Sequence, residues 1–381
     1  MMRNKSWAIL LGAAVILGAA GWWVAASRDS ATQADFTPKP LFPGLTAKVN
    51  DVASLEIATA KTLFRIEKAQ DGGWVMPSRD NYPVRADLVR KNVLGIAGLE
   101  TVEPRTNKAE YYDLLQVSDP EKYKPADEAA KSDPGPVLVR LVGADMQAMA
   151  AVIVGKIRTY PSGGKPGQYH LRKPDDAQAW LAQGNLEVKA EPVEWLVKET
   201  VKIDRARVAE ATVRHPDGEL LRVVRGTKDD GSASLDFVPA GMPKGMKIAS
   251  QYDVNAVAGA AAWLSFEDVA RAETKDFSKA TVAEIVTMDG VKAVIRSIPA
   301  EAGSEKKAWV TIDVAYDAAL AKPDPANSDL LPAEEAEKQV REAAARVSGW
   351  AYLVPEAAAR DLSRRMKDLI EPEKADDKKE G

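Results

Sequence analysis

The sequence predicts an α+β protein: an N-terminal transmembrane helix followed by two duplicated units of antiparallel β-hairpins packed with helices. Three observations predict this architecture. The chain begins with a long apolar run, strand-like and helix-like segments follow it, and the same order of segments occurs twice. The predicted boundaries are a membrane anchor at 1–28, a linker at 29–44, a first repeat unit at 45–203, a second repeat unit at 204–371 and a disordered charged tail at 372–381.

Length and composition are consistent with this organisation and exclude several kinds of chemistry. A chain of 381 residues is too long for one ordinary domain of roughly 100–200 residues. The 52 basic and 56 acidic residues leave a net charge of −4, so no basic field predicts binding to nucleic acid. The absence of cysteine excludes disulfides, thiolate catalysis and thiolate metal sites.

The N-terminal segment predicts where the protein resides. Arg3 and Lys5 precede an uncharged apolar run at 7–26, which matches the roughly 20 residues that a helix needs to cross a bilayer. Trp22 and Trp23 lie where an interfacial aromatic belt would form. We therefore expect a single-pass protein of the inner (cytoplasmic) membrane with most of the chain in the periplasm. A cleaved signal peptide, with "WVAAS" as its cut site, is the alternative.

The first unit begins with strands and continues into a helix. Alternating apolar residues at 52–57 and 63–66 flank a polar turn and predict a hairpin, which Trp74 and Val75 extend. Asp87 is the predicted cap of the helix that follows. Gly95 would weaken this helix, so we expect close packing against the sheet at that position.

The second unit repeats this order. After a strand from Val208 and the turn "HPDG", "LLRVVR" corresponds to "LFRIEK" of the first unit, and "SLDFVP" corresponds to "GWVMP". Asp253 is the predicted cap of the corresponding helix.

Each unit then continues with a further hairpin, "PVLVRLVG" with "AAVIVGK" in the first and "ATVAEIVTMDGVKAVIRSI" in the second. An aromatic strand follows and runs into Pro174 or Pro355, each of which is predicted to begin a helix. Aligning the two prolines places Leu171 opposite Tyr352. The stretches at 118–136 and 321–347, rich in proline, alanine and charge, are predicted loops.

Several of these segments resemble a known family. The N-terminal anchor, "LFPGL", "WVMPSRDNYPVRADLVRKNVLGIAGL", "GQYHLR" and the "EWLVKETV" segment, which we expect to be helical, are similar to the bacterial domain-of-unknown-function 4340 family. The resemblance implies a membrane-anchored protein whose gene lies beside genes for ABC transporters of the gliding-motility type. It implies no established activity and supplies no catalytic residues, because the matching motifs are turns and core aromatics.

The residue pattern predicts no catalytic, cofactor-binding or metal-binding residue, and no cofactor. His170 on a strand and His215 in a turn have no neighbouring metal or triad pattern. The "YPSGGKPG" segment lacks the spacing of a phosphate-binding loop and is interpreted as a hairpin loop. Large aromatic residues are expected to wedge between sheet and helix rather than to form a stacking surface: Trp74, Tyr82, Tyr169, Trp180, Trp195, Trp263, Trp309 and Trp350.

Three hypotheses of function follow. The favoured one is a non-enzymatic accessory or interaction subunit of a membrane protein complex, with ABC transporter subunits as the expected partners. The second is a periplasmic glycan- or peptide-binding module, which requires exposed aromatic residues. The third is a carboxylate-dependent hydrolase, which requires two acids at a defined separation.

Overall fold

The computed structural model describes residues 37–125, 133–228, 233–301, 306–322, 324 and 327–373. The chain divides into two compact units. The first unit contains the residues up to Val75 together with Arg85–Glu194, and the second contains Met76–Val84 and the chain from Trp195 onward. A short piece of the first half of the chain therefore belongs to the second unit.

The protein combines helices with antiparallel sheets, which confirms the predicted α+β class. The strands are β1 (Lys39–Pro40), β2 (Val52–Ala58), β3 (Leu63–Lys68), β4 (Trp74–Met76), β5 (Tyr82–Pro83), β6 (Glu100–Pro104), β7 (Val137–Gly143), β8 (Ala148–Thr159), β9 (Gly167–Arg172), β10 (Ala179–Gly184), β11 (Val208–Arg214), β12 (Leu220–Thr227), β13 (Ala233–Pro239), β14 (Met246–Ile248), β15 (Asp268–Arg271), β16 (Thr281–Thr287), β17 (Val291–Pro299), β18 (Ala308–Tyr316), β19 (Trp350–Val354) and β20 (Ile370–Pro372). The α-helices are α1 (Ala86–Ala97), α2 (Tyr112–Leu115), α3 (Gln251–Ala258), α4 (Ala333–Val347) and α5 (Glu356–Asp361).

The main sheets of the two units have the same strand order. Within the first unit the order is β4-β3-β2-β7-β8-β9-β10-β6, with β1 added beyond β6. The sheet of the second unit has the order β13-β12-β11-β16-β17-β18-β19-β15. Each strand of one series thus has a counterpart at the same place in the other, and α1 and α3 occupy corresponding places in the chain.

The predicted hairpins are present. β2 pairs with β3, and β16 pairs with β17 across a turn that contains Asp289 and Gly290. Gly290 has a φ of 86°, a conformation that glycine adopts without the steric cost of a Cβ atom. Leu55 and Ile57 alternate with more exposed neighbours along β2, so one face of this strand contributes to the core.

Helix α1 packs closely at Gly95, as the sequence predicts. A Cβ atom at this position would lie 2.4 Å from the carbonyl oxygen of Asn185, which follows β10. The predicted cap is wrong by two residues, because Arg85 is the N-cap and Asp87 lies in the first turn. There the Asp87 carboxylate still complements the positive end of the helix.

Helix α3 differs from the prediction in a similar way. Ser250 is its N-cap, and the Ser250 hydroxyl accepts a hydrogen bond from the Asp253 N–H at 3.3 Å. The predicted cap, Asp253, instead lies in the first turn and pairs with Arg364. Serine and aspartate both favour the N-cap position, so the sequence alone does not distinguish Ser250 from Asp253, whereas the backbone geometry does.

The prediction of a helix after Pro174 is wrong. Ala179–Gly184 is strand β10, and Arg172 stabilises the intervening turn by donating hydrogen bonds to the carbonyl oxygens of Pro174 and Asp176. The alignment of Leu171 with Tyr352 is therefore displaced by one strand, since the counterpart of β9 is β18. Pro355 does begin a helix, as the N-cap of α5.

Two further segments differ from their predictions. Residues 333–347, interpreted as part of a loop from their composition, form α4, which buries Ala336, Val340 and Val347 on one face. The "EWLVKETV" segment is not a helix: a short 3₁₀ turn, Pro192–Glu194, ends where it begins. Trp195 is fully buried, so the apolar residues of this segment contribute to the core although the segment is not helical.

The predicted linker ends earlier than residue 44. Lys39 and Pro40 pair with β6, and Leu41 is buried with its N–H bonded to the carbonyl oxygen of Leu99 at 2.8 Å. The predicted anchor at 1–28 and the tail beyond residue 373 lie outside the described residues. None of the helices that the structure describes is long and apolar enough to span a membrane.

Tyr82 places the inserted segment in the core of the second unit. Its ring makes edge contacts with Trp350, Phe266 and Tyr352, at centroid distances of 4.8, 6.1 and 6.3 Å. Its hydroxyl donates a hydrogen bond to the carbonyl oxygen of Val197 at 3.1 Å. Because edge contacts of this kind favour aromatic packing, the cluster explains why a nine-residue piece of the first half folds with the second unit.

Candidate binding site

Helix α5 of the second unit has a cavity on either side. We call the first the aromatic cavity, defined by Tyr252, Trp263, Arg205 and Asp361. We call the second the basic cavity, defined by Lys306, Lys307, Arg360, Arg364, Arg365 and Lys367. Their volumes are about 340 and 670 Å³, within the roughly 300–1,000 Å³ typical of ligand sites.

Two large rings border the aromatic cavity. Tyr252 lies on α3 and Trp263 lies in the loop that follows this helix, and each side chain is 75% exposed. The wall between them consists mainly of small residues such as Gly259 and Ala260. The rings therefore present apolar faces to solvent at a concave surface, a combination that is typical of binding sites.

Charged groups accompany these rings. Arg205 lines the cavity, and no carboxylate among the described residues forms an ion pair with it. Asp361 lies at the end of α5, where one of its carboxylate oxygens is buried without a hydrogen-bond partner among the described residues. Burial raises the pKa of Asp361, although the nearby cations Arg360 and Arg364 oppose this effect. The aromatic cavity thus offers a cation and a carboxyl group beside two stacking surfaces.

The basic cavity is polar and carries mostly positive charge. Arg365 pairs with Asp217 at 2.8 Å and also with Glu219, and Lys307 pairs with Glu267 at 2.6 Å. These pairs neutralise part of the charge and hold their side chains in place.

Arg364 connects the two sides of α5. Its guanidinium group pairs with Asp253 of α3 and lies 3.8 Å from a carboxylate oxygen of Asp361. Its Nε atom is buried without a hydrogen-bond partner in the described part of the chain. Since one guanidinium group lies between the two carboxylates, this cluster ties α3 to α5.

The two histidines occupy different surroundings. His215 is only 5% exposed, and its Nε2–H donates a hydrogen bond to the carbonyl oxygen of Arg364 at 3.2 Å, so it forms part of the wall of the basic cavity. His170 lies on β9, and its Nδ1–H donates to the carbonyl oxygen of Lys156 at 3.0 Å. Burial lowers the pKa of His170, and nearby cations add to this effect. Both rings are thus held by backbone carbonyls.

The glycine-rich segment is a hairpin loop, as predicted. It connects β8 to β9, and Ser162 and Lys165 bridge across it with backbone hydrogen bonds of 2.9 and 3.2 Å. Gly163 and Gly164 have positive φ angles that such a tight turn requires.

Most of the aromatic residues that were predicted to lie in the core are buried or partly buried. Tyr82, Tyr169, Trp195 and Trp350 are buried, and Trp74, Trp180 and Trp309 are partly buried. Trp263 contradicts the prediction, because its side chain is exposed. Helix α3 ends at Ala258, so Trp263 is not held on the buried face of this helix. Tyr252 was not singled out from the sequence, although its position on α3 opposite the buried Val254 and Val257 was an available signal.

No group of three or more histidine, aspartate or glutamate side chains among the described residues could hold a metal ion. In a comparison with known families, the profile of a family described as "Domain of unknown function (DUF4340)" matches residues 74–285. No curated protein matches the chain. No solved structure matches it either.

Proposed function

The chain belongs to the domain-of-unknown-function 4340 family, and we propose that it acts by contact, as a non-enzymatic accessory protein of a membrane complex. In this proposal the apolar run at 7–26 anchors it in the inner membrane, and the folded units lie in the periplasm. The expected partners are subunits of an ABC-transporter-type complex, as the family resemblance implies. A tether of this kind raises the effective concentration of the units beside a membrane partner.

The observation that carries the proposal is the exposure of Tyr252 and Trp263 at one cavity. Large aromatic residues are enriched at the energetic centres of protein interfaces, where they bury much surface at a small cost in conformational entropy. Two of them at 75% exposure beside a wall of small residues form such an anchor point. The chain retains this apolar surface in solvent, which favours a role in recognition.

We also infer that the two units arose by duplication. The identical strand order supports this inference, as do the corresponding positions of α1 and α3. In the second unit, α4 is inserted between β18 and β19, where the first unit has only the turn after Pro174. The units have therefore diverged, and in this proposal the aromatic cavity gives the second unit its own role in contact.

A glycan- or peptide-binding module is the second candidate. Arg205 and Asp361 favour it, because a ligand with both apolar and polar faces could stack on the rings and bond to the charged groups. A carboxylate-dependent hydrolase remains a prediction from the sequence. Asp253 and Asp361 both face Arg364, an arrangement that favours ion pairing over acid–base chemistry.

The test is crosslinking of the full-length protein in intact cells, followed by purification in detergent. We expect to recover subunits of a membrane transporter, and we expect the double variant Tyr252→Ala, Trp263→Ala to lose most of this recovery. Leu235→Ala is the matched control, because Leu235 is another exposed apolar residue of the second unit and is not among the residues that line the cavity.

Equal recovery of transporter subunits by the double variant and the wild type would show that the aromatic cavity is not the contact site. Recovery of no membrane protein would contradict the proposal itself. Saturable binding of a glycan or a peptide by the purified protein, lost in the double variant, would favour the second candidate. Cleavage of that glycan or peptide would favour the hydrolase.

A further inference from the structure

We propose that the basic cavity binds an anionic group of the phosphate or carboxylate type. This inference is independent of the proposed function, because it concerns the opposite side of α5 and a different set of residues. The cavity is the larger of the two, at about 670 Å³, and Lys306, Lys307, Arg360, Arg364, Arg365 and Lys367 line it. Among the residues that the structure describes, two carboxylates, Glu356 and Asp368, share that lining.

Two of the cationic side chains that line the basic cavity, Arg360 and Lys367, take part in no short ion pair among the described residues. Within the described part of the chain, Arg360 has one carboxylate within ion-pair distance, that of Asp361, and the 3.6 Å between the two charged atoms is too long for a strong hydrogen bond. Among the described residues, no carboxylate lies within ion-pair distance of Lys367. Each of these two side chains can therefore bind an anion without first breaking a short ion pair.

The two acids of the lining differ in what they do. One Asp368 oxygen accepts a hydrogen bond from the Arg365 N–H at 2.8 Å, so this carboxylate is engaged in its own turn. Glu356 lies four residues before Arg360 on α5, a spacing that places both on one side of the helix. Glu356 is therefore the local competitor of an incoming anion.

The wall behind these cations is fixed by hydrogen bonds. The buried His215 ring bonds to the carbonyl oxygen of Arg364, and Ser363 Oγ donates to the carbonyl oxygen of Ala359 at 2.8 Å. The neighbouring Arg365 is held by Asp217 and Glu219. A wall held in place in this way is preorganised, so an anion would lose little binding energy in ordering it.

Guanidinium groups match the planar geometry of carboxylates and phosphates, and charge-assisted hydrogen bonds are stronger than neutral ones. Two sources of such an anion are a phospholipid head group and a soluble anion. The proposed membrane location makes the first accessible, but the cavity chemistry serves both equally. The experiment therefore separates them with two probes.

The test titrates the full-length protein, in a neutral detergent, with inorganic phosphate and with a short-chain phosphatidylglycerol below its micelle concentration. Binding is measured by calorimetry. We expect Arg360→Ala to weaken binding roughly tenfold, because a hydrogen bond to a charged group contributes about one factor of ten or more. Lys367→Ala should act in the same direction.

Two further variants make the test specific. Glu356→Gln should strengthen binding, because it removes the competing carboxylate, whereas mere disruption of the fold would weaken it. Lys338→Ala, which removes an exposed cation on α4, should leave binding unchanged. Tighter binding of the phospholipid than of phosphate would identify a lipid head group, and equal binding would identify a soluble anion. Absence of binding by both probes, or equal binding by wild type and Arg360→Ala, would overturn the proposal.

Discussion

At the residue scale, Arg207 and Asp289 form an ion pair within the second unit. The side chains are only 4% and 3% exposed, and Arg207 Nε donates to Asp289 Oδ2 at 2.7 Å. The same carboxylate accepts a hydrogen bond from the Leu331 N–H at 2.9 Å, and Arg207 also donates to Gln339 of α4 at 2.8 Å. The pair thus holds the turn between β16 and β17 against the segment that leads into α4.

Asp289→Asn should destabilise the second unit by about 3–5 kcal/mol, because it leaves a buried guanidinium group without its counter-charge. Asp313→Asn is the matched control. It breaks the ion pair of an exposed carboxylate with Arg296 and should cost no more than about 1 kcal/mol. Urea denaturation of both variants measures the difference, and equal stability of the two would contradict a structural role for the buried pair.

The same pair predicts how stability depends on pH. Burial opposes ionisation of Asp289, but hydrogen bonds from Arg207, Leu331 and Thr287 outweigh it and hold the pKa of the carboxyl below its ordinary value. A carboxyl whose pKa is lower in the folded state stabilises the fold at any pH above its pKa in the unfolded chain, which is about 3.9 for aspartate. This contribution is lost as the pH falls through the pKa of the folded state. Wild-type stability should therefore fall on acidification below about pH 4, with a smaller fall in Asp289→Asn.

At the element scale, Gly95 sets how closely α1 approaches the chain after β10. Gly95→Ala would favour the helix by about 1 kcal/mol on propensity alone. The new Cβ atom would, however, lie 2.4 Å from the Asn185 carbonyl oxygen and 2.9 Å from a Leu186 methyl carbon. We therefore expect a net loss of about 1–3 kcal/mol by overpacking, measured by thermal or urea unfolding.

Gly73→Ala is the control for this prediction. Its nearest neighbour would be the flexible Asp71 carboxylate at 3.1 Å rather than a backbone atom. A stabilised Gly95→Ala protein would contradict the close approach described for α1.

Helix α3 protects the edge of the second sheet, because β13 is the terminal strand of that sheet. Asn255 Oδ1 accepts a hydrogen bond from the Phe237 N–H at 2.9 Å, and Gln251 Nε2 donates to the Phe237 carbonyl oxygen at 2.8 Å. Two side-chain amides thus take the place of a neighbouring strand at this residue. Unpaired edge strands promote aggregation, so we expect this arrangement to hinder pairing with another chain.

Asn255→Ala should cost about 1–3 kcal/mol, because it leaves the Phe237 N–H without its partner. It should also increase concentration-dependent aggregation, measured by light scattering during gentle heating. Tyr252→Ala is the control on the same helix, since its side chain is mostly in solvent and its removal should change stability little. Equal aggregation of the two variants would argue against edge protection by Asn255.

Sequence patterns predicted elements best where side chains alternate or recur on one face. Strands β2 and β3 follow from the alternation in 52–66, and α1 follows from the spacing of Val89, Val93 and Ile96. Helix α4 was missed because its segment was interpreted by composition. Its buried residues lie at helical spacing, so the periodic signal was present: Ala336, Val340, Ala343 and Val347.

The candidate site could not be predicted in the same way. Tyr252, Trp263 and Asp361 come together only through the packing of α3 beside α5, and more than a hundred positions separate the first of them from the last. Likewise, the basic residues of 360–367 resemble any charged surface until Lys306 and Lys307 are placed opposite them. Local periodicity indicates which face is buried, but it does not indicate which exposed residues share a cavity.

At the scale of the whole molecule, the two sheets share one strand order, yet only the second unit contains α4. The shared strand order gives both units the same framework, and a framework does not by itself require a shared activity. The differences therefore identify the parts on which a specific role can rest. The aromatic cavity and the basic cavity both adjoin α5, the short helix that follows β19 in the chain.

The location of the whole chain is tested by a fusion of alkaline phosphatase after Gly381. The phosphatase is active only where disulfides form, so we expect activity if the positive flank of 7–26 stays in the cytoplasm and the remainder crosses the membrane. Deletion of residues 1–28 should abolish that activity, because the apolar run is then absent. An inactive full-length fusion, together with fluorescence from a cytoplasmic reporter at the same position, would place the folded units on the other side and remove the premise of a periplasmic contact protein.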